Sequence, residues 1–142
     1  MSVQVNGQQF ELQVDQWIAK AKGRAKEFCT EFIQDINQRV VEATPVKTGF
    51  LRGSWYAALG QGANDTGGAT DPSGGSSVAR MNLVASQLKL GDIYQANNGA
   101  NYAVFVEFGT SKMAPRSFVR GTLDQAEEIA NETLQRINSE ST

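Results

Sequence analysis

The chain of 142 residues has no histidine, a single cysteine and almost no net charge, and each shortage closes off a class of function. Without histidine it loses the usual general base, the usual switch near neutral pH and the commonest metal ligand. Cys29 alone forms no internal disulfide and no thiolate cluster; within a helical pattern it reads as a reduced structural residue. The 13 basic and 15 acidic residues give a formal charge of −2, against the basic face and high pI of a nucleic-acid module. Lys112, Arg116 and Arg120 recur every four residues, and this strip reads as a solvated face. No stretch approaches the ~20 apolar residues of a membrane span, and the N-terminus lacks an apolar core of signal-peptide length. The expectation is a soluble protein kept in a reducing compartment, a single domain burying roughly 70% of its unfolded surface.

What is present reads as α+β. The opening "SVQVNGQQFELQV" alternates apolar and polar residues around Asn6-Gly7, a pair suited to a type I′ turn, and predicts a hairpin over 1–14. From Asp15 as N-cap, apolar residues at Ile18, Ala21, Ala25, Phe28, Phe32, Ile36, Val40 and Ala43 predict a long helix. Thr44-Pro45 ends it, because the residue before proline is pushed out of the α region. Residues 54–59 read as a strand. Residues 60–77, "GQGANDTGGATDPSGGSS", hold six glycines and no apolar side chain larger than alanine, which predicts a mobile loop. Ser77 caps a short helix through about Gln87, carrying Val78, Met81 and Val84 or Ala85 on one side. "KLGDIYQAN" reads as a second strand, and 102–108 suits either a strand or one to two helical turns. Pro115 opens a closing helix whose stripe runs through Val119, Leu123, Ala126, Ile129 or Ala130, Leu134 and Ile137, with acids 124, 127 and 128 facing outward. The fold class is thus α+β, a small mixed or antiparallel sheet packed against two long helices, with a long Gly-rich loop.

The search for chemistry is negative. The glycine-rich "GGATDPSGG" lacks the lysine and the strand-to-helix setting of a phosphate loop. Asp65 and Asp71 read as turn formers rather than a cation site, and Glu107 with Asp92 makes a poor candidate for a hydrolytic carboxylate pair. No enzyme, cofactor or metal is expected. One residue still demands explanation. Glu107 lies in the most apolar run of the chain, where burying a carboxylate costs several kcal/mol unless it is paired. Chemistry, a fold-holding ion pair, contact with another chain and a plain solvated glutamate are the open readings.

Three blocks in order carry a resemblance. "TPVKTGFLRGSW" (44–55), "YAVFVEFGTS" (102–111) and "MAPRSFVR" (113–120) resemble the signature of the neck, or tail-completion, proteins of tailed bacteriophages. The stretch 76–98 is similar to one branch of that family. The resemblance implies a virion structural protein at the head–tail junction, assembled in the bacterial cytoplasm, without a catalytic site. It implies a homo-oligomeric ring, hexameric or alternatively dodecameric, between neighbouring connector and tail-tube proteins. DNA would pass through without specific binding, and no membrane is involved; a conduit should not hold its cargo, and polyphosphate affinity rises with basic contacts. The residues it singles out as interface or structural are Lys47, Thr48, Gly49, Leu51 and Arg52, then Tyr102, Glu107, Gly109, Thr110 and Ser111, then Pro115 and Phe118. As partner of Glu107 it points to Arg52, whose fork takes both carboxylate oxygens and would tie the blocks together, within one chain or across a subunit boundary. The rival class is a small non-viral module that binds peptide or nucleic acid.

Overall fold

In a computed structural model of the chain, residues 7–60 and 68–140 are described. They form a mostly helical α+β unit: α1 (Gly7–Ala43), α2 (Phe50–Gly53), β1 (Trp55–Leu59), α3 (Gly75–Ser86), β2 (Tyr94–Asn98), α4 (Ala103–Phe108), α5 (Phe118–Asp124) and α6 (Ala126–Glu140). The two strands pair antiparallel, from Trp55 opposite Asn98 to Leu59 opposite Tyr94. The sheet packs against α1 and α3, while α6 runs along α1.

Helix α1 stops where Pro45 forbids it to continue, and its end is pinned from two sides. The Thr44 hydroxyl donates to the Val40 carbonyl and accepts the Trp55 indole N–H at 2.9 Å, joining the helix to β1. Val40, Val41, Leu51, Trp55, Met81, Ala100 and Phe118 form the core. Trp55 meets Phe118 edge to face, with ring centroids 6.2 Å apart. A polar chain crosses the same region. Tyr94 donates its hydroxyl to fully buried Asn37, which donates to Asn82 of α3, so β2, α1 and α3 are bound through one carboxamide. Burial pushes the Tyr94 phenol up to about 12, against the opposing effect of the Asn37 bond.

Several expectations are corrected. Residues 7–14, predicted as the turn and second arm of a hairpin, lie in α1, and Asp15 is inside the helix instead of at its cap; residues 1–6 lie outside the described residues. Phe10 and Val14 also continue the three- and four-residue spacing of the helix. Extending an existing helix adds one bond per residue, whereas an isolated hairpin is marginal. The predicted apolar stripe on α1 is half-buried at Phe28, Phe32 and Ile36 and enters the core only at Val40; Ala43 and residues 18–27 are exposed.

Of the loop predicted to be mobile, 61–67 lie outside the described residues, but 68–74 are docked. Asp71 donates its N–H to the Gly49 carbonyl, and its carboxylate accepts N–H and hydroxyl donors from both Ser73 and Ser76. These bonds, the Ser76 hydroxyl foremost, hold Asp71 far below the usual carboxylate range. Asp71 thus acts as the turn former before α3. Ser77 does not cap that helix; it is buried one turn in and donates to the Arg52 carbonyl.

The closing helix is two helices meeting at Gln125, and its buried stripe keeps the predicted Ile129 and Ile137 but lies one residue earlier than predicted at Phe118, Thr122 and Thr133. Phe118, Thr122, Ile129, Thr133 and Ile137 face inward, while Leu123 and Leu134 are exposed. Phe118, locked against Trp55, sets this phase. Both threonines tolerate burial because their hydroxyls donate one turn back, to the carbonyls of Phe118 and Ile129.

Candidate functional site

Residues 103–120 form one closed unit. Helix α4 ends at Gly109, the chain turns through a bridge between Thr110 and Met113, and Arg116 returns to donate its N–H to the Val106 carbonyl at 2.8 Å. Gly109 makes this return possible. Its φ of 79° and ψ of 177° define a region open essentially to glycine, and a Cβ there would sit 2.7 Å from the Pro115 nitrogen.

The return places Glu107 under the first turn of α5, where helical N–H groups lack partners. The capping position, Ser117, supplies no side-chain bond, and Glu107 supplies it instead. Its carboxylate accepts the N–H of Val119 at 2.8 Å and of Arg120 at 3.2 Å. The Arg120 Nε donates to the same carboxylate at 2.7 Å, while its Nη2 donates to the Glu107 carbonyl and the Ser117 hydroxyl. The Arg120 guanidinium also lies 4.4 Å from the centre of the Phe108 ring. Burial works against the charge of Glu107, but the Arg120 side chain and the two backbone donors outweigh it and hold the carboxyl below its usual range.

Within the chain the expected Glu107–Arg52 pair is therefore incorrect: Arg120, exposed as expected at 48%, takes that place. The α5 helix starts at Phe118, three residues after Pro115, which turns Arg120 toward Glu107. Arg52 serves a different end. Its fork donates to the carbonyls of Thr44, Glu42 and Pro72, placing a cation on the C-terminal end of α1 and clasping the loop before α3. Gly49, at φ 90°, packs directly on Pro72 and accepts the N–H of both Gly53 and Asp71.

The signature blocks do meet, through apolar contacts: Trp55 with Phe118, and Phe50 with Tyr102 at 6.3 Å. Leu51 and Phe118 are core, the Thr48 and Thr110 hydroxyls accept N–H groups of their own turns, and Lys47, Ser111 and Pro115 are exposed. Sequence reasoning missed Arg80, whose guanidinium donates to the carbonyls of Trp55 and Gly53 and to the Ser77 hydroxyl. It missed Asn37 as well. A polar residue at a position flanked by Ile36 and Val40 was the available signal for Asn37.

Beside this unit the surface is unusually apolar. Val104 and Phe105 of α4 are 64% and 57% exposed, and Phe108 and Leu123 are similarly open. Val104, Phe108 and Leu123 line a groove of about 570 Å³ together with Ile36, Val40 and Trp55, while Phe105 lies outside it. Isolated exposed apolar residues are ordinary, but a contiguous patch of this kind marks an interaction surface. Glu107 borders the groove, whereas Asp92 caps its own turn by accepting the Lys89 N–H and is not among the lining residues. Glu27, Glu31 and Glu140 could converge on a cation, but Arg136, 3.3 Å from Glu31, already supplies positive charge there. Comparison with known proteins finds no match to a family model, to a curated protein or to a solved structure.

Proposed function

We propose that this chain is a structural protein of a tailed-bacteriophage virion, a neck or tail-completion subunit that closes into a ring at the head–tail junction. The observation that carries the reading is the apolar face of α4 with the groove beside it, where the second and third signature blocks meet α1, Trp55 and β2. Glu107 is occupied by holding α5 in place and leaves no free carboxylate for chemistry in that groove. What the unit offers outward is a rigid apolar surface, and a neighbouring copy of the chain is its occupant. Repeated head-to-tail contacts between identical subunits close into rings when the rotation permits. A ring of this kind would seat against a connector on one side and tail-tube protein on the other, with DNA passing through without specific binding.

The test is the mass and symmetry of the particle. Native mass spectrometry and negative-stain imaging should give a closed ring at six times 15.4 kDa, or twelve times. A chain that stays at 15.4 kDa, and whose mass increases only by that of an added peptide or oligonucleotide, would favour the binding-module class instead.

A further inference from the structure

Most of the N-terminal part of α1 is an arm that lies clear of the domain: between 18 and 27 only Gly23, Lys26 and Glu27, the one acid of this stretch, share a surface groove with Ser86 and Glu140. Residues 18–27 are exposed, and no ion pair joins Lys20, Lys22, Arg24 or Lys26 to any described residue from Ile18 onward. At 100° per residue, Lys20 and Arg24 lie on one flank of this helix and Lys22 and Lys26 on the other. Ile18, Ala21 and Ala25 form a narrow apolar stripe between them. The arm is thus a basic helix with an uncovered apolar seam, in a protein whose net charge is −2.

The compensating acid lies on one face at the other end of the chain. Asp124, Glu127 and Glu128 line a shallow surface groove with Asn131 and Gln135, and are exposed. Glu132, also there, is engaged by Arg39 at 3.2 Å. Leu123 and Leu134 are 59% and 43% exposed but do not line this groove; Leu123 lines the one beside α4.

The arm cannot reach its own acidic face. Helix α1 is continuous from Gly7 to Ala43, and α6 is already fixed along its later half, with Arg136 on Glu31 and Asp35 and Arg39 on Glu132. The acidic face points away from α1, opposite buried Ile129, Thr133 and Ile137. We infer that the basic arm, residues 18–27, docks on the acidic α5–α6 face, residues 123–134, of the next copy of the chain. This inference rests on the ring reading and adds a second contact between neighbouring copies to that of the α4 face. Arm and face are unlike surfaces, so the contact is head-to-tail. Two basic flanks, Lys20 with Arg24 and Lys22 with Lys26, set its register against the carboxylates.

Paired charge reversal tests it. The arm variant carries Lys20→Glu, Lys22→Glu and Arg24→Glu, leaving Lys26 beside Glu27, Glu31 and Glu140; the face variant carries Asp124→Lys, Glu127→Lys and Glu128→Lys. All six positions are exposed, so circular dichroism and melting should match wild type. At low salt, native mass spectrometry should show each variant alone as a monomer, with association weakened at least tenfold. An equimolar mixture should recover a particle with the wild-type subunit number and alternating variants, since each reversed arm then faces a reversed acid face. A mixture that stays monomeric overturns the inference. So does a loss confined to the arm variant, which would assign the arm to a polyanion such as nucleic acid, and so does a wild-type chain that is monomeric at low salt. A ring that neither variant alters removes this contact and leaves the ring standing. A closed dimer that both variants break and the mixture restores removes the ring and leaves the contact standing.

Discussion

Glu107 keeps its charge in an apolar setting because three donors converge on it, two of them helix N–H groups that would otherwise lack partners. Glu107→Gln removes the charge, halves the acceptors and leaves Arg120 without its counter-ion. The expected loss is about 2–3 kcal/mol at neutral pH, less than for a fully buried pair because the Arg120 side chain is 48% exposed. Acid should erase the difference. The folded-state carboxyl titrates below the ~4.3 of an unfolded glutamate, so its stabilisation is complete above that value and fades as pH falls through the folded one. Urea melts of both proteins at pH 7 and near pH 3 should show the gap closing. A gap equally wide at pH 3 would mean that shape rather than charge holds α5.

The turn between α4 and α5 depends on a single backbone conformation, which gives a sharper test at the level of elements. Gly109→Ala should cost more than about 2 kcal/mol, from a disfavoured conformation and a collision with Pro115, and lower the melting temperature by roughly 5–10 °C. Gly121→Ala, inside α5 with nothing within 4 Å of a new Cβ, should be neutral or stabilise by up to about 1 kcal/mol. Equal effects at the two sites would refute this account of the turn. Elements such as these were legible in the sequence to different depths. The end of α1 and the first strand could be read directly, because Pro45 and the glycines around the strand act within a residue or two, whereas the second strand, read over 89–97, pairs only from Tyr94 to Asn98. The start of α1 could not, because its first residues satisfy both a two-residue and a helical period. Glu107 was recognisable as needing a partner from its apolar neighbours alone. Identifying Arg120 required the path of the turn, which local spacing does not encode; the phase of α5 and α6 likewise follows from Phe118 meeting Trp55 some sixty residues away.

Over the whole molecule, polar groups close inward and apolar ones remain outside at α4, and this division allows assembly to be separated from folding. Arg52 and Arg80 both spend their guanidinium groups on backbone carbonyls, tying α1, β1 and α3 into a body that is complete without a neighbour. Val104 and Phe105 take no part in that body; both point to solvent. Val104→Ser with Phe105→Ser should therefore leave the monomer intact. Serine has nearly the helix propensity of the residues it replaces, and substitutions at exposed positions cost about 0.5 kcal/mol or less, a shift of about 2 °C. Assembly should respond very differently. Covering a valine and a phenylalanine contributes about 3–5 kcal/mol per contact, so their loss should weaken association by roughly a hundredfold or more. Sedimentation at several concentrations, beside thermal melting, reads both quantities from the same samples. A melting temperature lowered by more than about 5 °C would mean that α4 needs these side chains for its own fold. Unchanged sedimentation would remove the α4 face from the contact between copies and confine that contact to the arm and the acidic helix.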